Sequence, residues 1–158
     1  MRYVLILPLA MTAACAVPLD PAATGSTDAS ATAPVQTLDP TPPPPPPSNA
    51  RTVEQFDTTS AEDRAAAEAV DTAASDAALG TTVASLGPPA EPGIWLKTPL
   101  VTSLTQGRIS YQGNTINVEL RPSGGAAGSG SQISLAAMRL IEAPLTSLPE
   151  ITVYGTAG

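Results

Sequence analysis

Few side chains in this sequence are equipped for chemistry, and they stand far apart. There is one cysteine, Cys15, and no histidine. A single thiol excludes an internal disulfide framework and a thiolate-rich zinc site. Without histidine, the commonest metal ligand and the commonest general base near neutral pH are missing as well. A carboxylate pair can cleave a glycosidic bond without histidine. Beyond residue 92, however, the acids are Glu119, Glu142 and Glu150, each alone on its expected element. The run Gly128-Ser129-Gly130-Ser131 lacks the Gly-x-Ser-x-Gly spacing and the histidine partner of a serine nucleophile turn. Neither the dinucleotide Gly-x-Gly-x-x-Gly pattern nor a phosphate-binding loop occurs. The sequence therefore predicts no catalytic residue, no metal and no cofactor. Two side chains are left as candidate ligand contacts: Trp95, a stacking surface for a sugar or else a core residue, and Arg121, which opens the segment RPSGGAAGSGS.

The position of the cysteine says more than its reactivity. Residues 1–15 read Met-Arg-Tyr, then the apolar run VLILPLAM, then Thr12-Ala13-Ala14-Cys15. A short basic start, an apolar stretch and small residues before a cut site are the layout of a secretory signal. The run is too short to span a bilayer, which takes roughly 20 apolar residues. Small side chains at Thr12, Ala13 and Ala14 before Cys15 resemble the lipobox of bacterial lipoproteins, with Thr12 standing where Leu is usual. The resemblance implies removal of a signal peptide, residues 1–14, and acylation of Cys15. Each buried CH₂ contributes ~0.8 kcal/mol, so two or three chains would hold the protein to a membrane. Such lipoproteins are retained in the inner membrane by Asp after the cysteine. Ala16 stands there instead, which implies the outer membrane, on its periplasmic face.

Behind the cysteine the chain is poorly equipped to fold. Residues 15–50 read as a linker, with three acids, no base and no apolar periodicity beyond the cysteine. Such a segment cannot bury enough apolar surface to offset its ordering entropy, so it is expected to be disordered. The six prolines 42–47 would form a polyproline II rod of ~19 Å at ~3.1 Å per residue. Residues 51–92 read as an acidic, alanine-rich spacer. Ser60 is an N-cap with Glu62 and Asp63 in the first turn after it. Only Val70 and Leu79 give the following stretch apolar bulk, so the helix should be marginal and lie on the surface, with no stripe to pack. A short strand over 81–86 closes the spacer. The whole chain has 7 Lys+Arg against 14 Asp+Glu and a net charge of −7. The bases are scattered singly, which argues against nucleic acid as a partner.

Large apolar residues gather in 93–158, the expected head. "IWLKTPLV" (94–101) reads as a strand, and Pro99 near its end suits an edge. Ile109 and Tyr111, then Ile116, Val118 and Leu120, alternate as one buried face of a hairpin around Gln112-Gly113-Asn114. Residues 121–131 read as a flexible loop. Ser134 caps a helix over 134–142 that places Leu135, Met138 and Ile141 on one face and stops at Pro144. "EITVY" (150–154) is a final strand. No internal repeat is visible. The fold class expected is mainly β with one short α-helix: a small β head behind a disordered Pro-rich linker.

Two resemblances bear on this head. "GNTINVELRPSGG…SQISLAAMRLIEAPLTSLPEITVY" resembles the C-terminal half of the double-psi β-barrel in the rare lipoprotein A family. That implies a partial double-psi-like head and a peptidoglycan ligand, although Arg121-Pro122-Ser123-Gly124-Gly125 stands where that family carries its catalytic Asp. Over most of residues 50–150 the chain is also similar to short alphaproteobacterial lipoproteins, some of which automated naming calls D-galactarate dehydratase. That name implies loss of water from a sugar diacid, which requires a base, an acid and normally a metal. Three functions follow as expectations. The first is a non-catalytic, membrane-tethered module that binds cell wall or an envelope protein. The second is an enzyme, either a peptidoglycan lyase or the named dehydratase. The third is a purely structural envelope lipoprotein.

Overall fold

The alternation of apolar and polar residues between 105 and 122 builds a β-hairpin. In the computed structural model, which describes residues 41–70 and 77–155, strands β3 (Thr105–Tyr111) and β4 (Asn114–Pro122) pair antiparallel. They are joined through Gln112 and Gly113, with φ of 48° and 93°. Two successive positive φ values give the turn whose twist matches that of paired strands. Ile109, Ile116, Val118 and Leu120 are buried on one face, as the alternation requires, and Tyr111 packs partly buried beside them.

Four further strands close this hairpin into a barrel. They are β1 (Ala77–Leu86), β2 (Trp95–Thr98), β5 (Ser131–Ile133) and β6 (Glu150–Gly155), in the closed order β1-β5-β2-β4-β3-β6. The pairs β1/β5 and β2/β4 are parallel and the other four antiparallel. Exchanging β1, β2, β3 for β4, β5, β6 leaves every pairing and every direction unchanged, so the topology has a two-fold pattern that the residues do not repeat. Ile133, Leu96 and Leu120 lie side by side across β5, β2 and β4, all fully buried. Ile109, Ile151 and Val153 fill the barrel from the far side. Gly107 permits the close approach of β3 to β6, because a Cβ there would lie 2.5 Å from the carbonyl oxygen of Tyr154.

The fold is mainly β, as its alternation implies, but several local expectations are corrected. The strand after residue 94 is not an edge: β2 lies between β4 and β5, and Pro99 falls just beyond its last residue, where no ladder hydrogen bond is lost. The barrel also reaches back before residue 93. Strand β1, placed by its composition in the spacer, begins at Ala77 and pairs with β5 and β6. Its period is broken by a register shift between Ala78 and Gly80, which hides the strand from a search for alternation. The C-terminal helix, α3, is shorter than its apolar spacing suggests, spanning Leu135–Leu140. Ser134 Oγ does cap it, accepting from Ala137 N at 3.2 Å. Glu142, with φ of 57°, turns the chain out of the helix before Pro144 is reached.

The segment ahead of the barrel is bound to it. Helices α1 (Val53–Phe56) and α2 (Ala61–Glu68) precede β1. Ser60 Oγ accepts from Asp63 N at 3.0 Å, the expected N-cap. The helix nonetheless packs, which corrects the expectation of a bare surface helix: Ala66 and Ala67 are buried. Asn117 on β4 donates its side-chain amide to the carbonyls of Ala66 and Ala69, at 3.2 and 3.0 Å, and so ties down the end of α2. The Asp57 carboxylate, with a side chain 3% exposed, is held between Arg64 at 3.2 Å and Arg139 of α3 at 2.8 Å. Thr58 Oγ1 donates to the carbonyl of Pro44 at 2.6 Å. The last prolines of the linker therefore belong to this strap. Cys15, the signal segment and the linker before residue 41 lie outside the described residues.

Candidate functional site

Side chains that point out of the barrel are brought into register by the pairing of β1, β5, β2 and β4. Ser85 on β1 pairs with Gln132 on β5, Gln132 with Lys97 on β2, and Lys97 with Arg121 on β4. Polar groups 85, 132, 97 and 121 thus form one row across four strands. Their chain neighbours Ala84, Ile133, Leu96 and Leu120 face the core. The first three members of the row floor an open groove of about 630 Å³. One wall is the loop after β4, contributing Ser123, Gly125, Gly128, Ser129 and Gly130. That loop turns on positive-φ glycines at 124, 128 and 130. The Ser123 hydroxyl accepts from Gly125 N at 3.2 Å, so the wall is internally braced. Two exposed apolar side chains, Val83 and Leu148, shoulder the opening.

The electrostatics of the groove differ from those of the chain as a whole. Among the described residues, no Asp or Glu lines it. Lys97 has no carboxylate partner among the described residues, and its Nζ lies 5.6 Å from the centre of the Trp95 ring. Arg121 on β4, by contrast, is engaged with Glu91 and Glu119, and Arg139 on α3 with Asp57. An ammonium with no nearby carboxylate, in a groove lined by hydroxyls and amides, suits an anionic or carbonyl-rich ligand.

Trp95 and Arg121 are brought together, but against each other. The Trp95 ring is fully buried beneath the connection from β1 to β2. A Cβ on Gly87 would come within 2.5 Å of its Cη2, and Gly93 lies against its Cδ1. The Arg121 guanidinium sits 5.1 Å from the ring centre. Its Nη1 donates to Glu91 at 2.6 Å and its Nε to Glu119 at 2.5 Å. The Trp95 ring offers no free face and acts as a packing residue here, whereas the Arg121 side chain, committed to two carboxylates, stays 25% exposed. Trp95 N donates to Ser134 Oγ at 3.1 Å, linking the same strand to the cap of α3. The three acids of the expected head stay apart from one another. Glu119 is committed to Arg121, Glu142 accepts from Asn114 Nδ2 at 3.1 Å, and Glu150 is exposed at the start of β6. Among the described residues, no three of His, Cys, Asp and Glu gather as a metal site would require.

The groove itself is built from residue types that carry no catalytic signature, and motif reading passes over them. Its one sequence signal is the glycine-serine run 123–131, which reads equally as a plain loop. Comparison with known protein families, with characterised proteins and with solved structures gives no match.

Proposed function

We propose that this chain is a lipid-anchored periplasmic module of the bacterial outer membrane that binds cell wall or an envelope protein without transforming it. The observation that carries the binding part is the groove: hydroxyls, amides and Lys97, with no carboxylate among the described residues of its lining. Acid–base catalysis needs a titrating group within hydrogen-bond reach of the substrate. The acids nearest in sequence to the groove loop, Glu119 and Glu142, are engaged elsewhere. The anchoring part rests on Cys15 and the apolar run before it. The strap over residues 43–69 supplies a mechanical role: it joins the barrel to the linker through several contacts rather than one flexible joint.

Fractionation of cells expressing wild type and Cys15→Ser tests the anchor. The wild type should sediment with outer membranes and gain acyl mass, and Cys15→Ser should do neither. Incubation with purified sacculi, and crosslinking in intact cells, test the ligand. Retention on sacculi or a reproducible envelope crosslink, lost when Lys97 is replaced, is the expected result. A protein that reaches the membrane yet makes neither contact would be a structural lipoprotein instead.

A further inference from the structure

We propose that the groove receives the free carboxylate end of a short, extended peptide with small side chains, Lys97 taking the carboxylate. This rests on the binding reading above and names its ligand class. Four observations select it. Lys97 is a single ammonium without a carboxylate neighbour among the described residues, which matches one negative charge; no arginine fork or second lysine lines the groove to take a phosphate. Among the described residues no aromatic ring lines it either, since Trp95 is sealed below, so they offer no stacking surface of the kind on which sugar rings are commonly held. The sheet is closed, so no free edge is open for a peptide to extend by backbone pairing. Its amides must then be met by side chains, and Ser85, Gln132 and Ser129 present hydroxyls and an amide for that purpose. Lastly, Val83 and Leu148 are 48% and 67% exposed at the rim, apolar surfaces sized for methyl-bearing side chains.

The test uses the full chain and a fluorescein-labelled Gly-Ala-Ala tripeptide, as the free acid and as the C-terminal amide, read by fluorescence anisotropy. The free acid should bind at least tenfold more tightly than the amide, and the difference should shrink as salt is raised. Lys97→Gln should bring the free acid down to the amide's level, and Lys97→Arg should retain most of the preference. Gln132→Ala, on the neighbouring strand, should weaken both peptides alike. Equal binding of acid and amide, binding of neither, or an unchanged preference in Lys97→Gln would overturn the proposal. So would displacement of the labelled acid by equimolar inorganic phosphate or by a chitin tetrasaccharide. Retention on sacculi without tripeptide binding would leave the binding module standing and remove only the peptide carboxylate. Tripeptide binding without any sacculus or envelope contact would do the reverse.

Discussion

At the scale of single residues, the most consequential arrangement is the stack of Arg121 on Trp95. A buried indole beside two cations is an unusual use of the chain's only tryptophan. Its Nε1 finds no acceptor among the described residues. What holds it is packing from Gly87, the connection over Glu91, and the guanidinium. Removing that cover has a direct optical readout. Arg121→Ala should shift Trp95 emission to longer wavelength and raise its quenching by acrylamide, because the ring would gain water on one face. Lys97→Ala should change emission less, its ammonium being farther from the ring centre and on the groove side. Unchanged emission in Arg121→Ala would mean that the loop alone seals the ring. Sequence reading singled out both residues as possible ligand contacts. It could not see that they are spent on each other, since that depends on the parallel pairing of 95–98 with 119–122.

At the scale of elements, legibility followed side-chain size and regular spacing. The hairpin could be read because large apolar residues alternate through it without interruption, and α3 because Ser134 marks its start. In the strap, the Ser60-capped helix could be read but its packing could not. Ala66 and Ala67 bury their helix by allowing close approach to β4, which leaves no bulky stripe for a hydrophobic pattern to detect. The true anchors, Asn117 and Arg139, lie about 50 and 80 residues further along the chain from the groups they hold. Two substitutions separate strap from barrel. Asn117→Ala removes two hydrogen bonds to the end of α2, each worth about 1 kcal/mol. Asp57→Asn removes a carboxylate shared by two arginines, worth about 1.5–3 kcal/mol as a charged hydrogen-bond partner. In either variant, amide exchange over 61–68 should speed up while β3 and β4 stay protected. Equal loss of protection in both regions would show that strap and barrel unfold as one unit.

At the scale of the whole molecule, the charge is divided rather than spread. The chain carries −7 overall, yet the groove presents a cation and no acid. Among the described acids of barrel and strap, Asp57, Glu91 and Glu119 are paired with arginines, and the other carboxylates are not. An anionic ligand would therefore approach against a general repulsion and be received at one place, which favours selectivity over speed of capture. The closed strand order also ties the two ends of the barrel together: β6 pairs with β1 and with β3. Deleting residues 150–158 would remove buried Ile151 and Val153 and leave two open seams. That variant should lose its near-ultraviolet dichroism and expose Trp95 to quencher. A cooperatively folded truncated chain would refute the barrel's dependence on its last strand.

That closure has a timing consequence. A polypeptide emerges amino end first, and β1 is the first strand out. Its two neighbours are the fifth and the sixth, so it must wait for some fifty to seventy further residues before either arrives. Until Ile151 and Val153 follow, the barrel is an unfinished ribbon with its apolar side open. Anything that must handle this chain before it folds, whether a chaperone or a narrow passage that admits only extended polypeptide, has until β6 has emerged to do so.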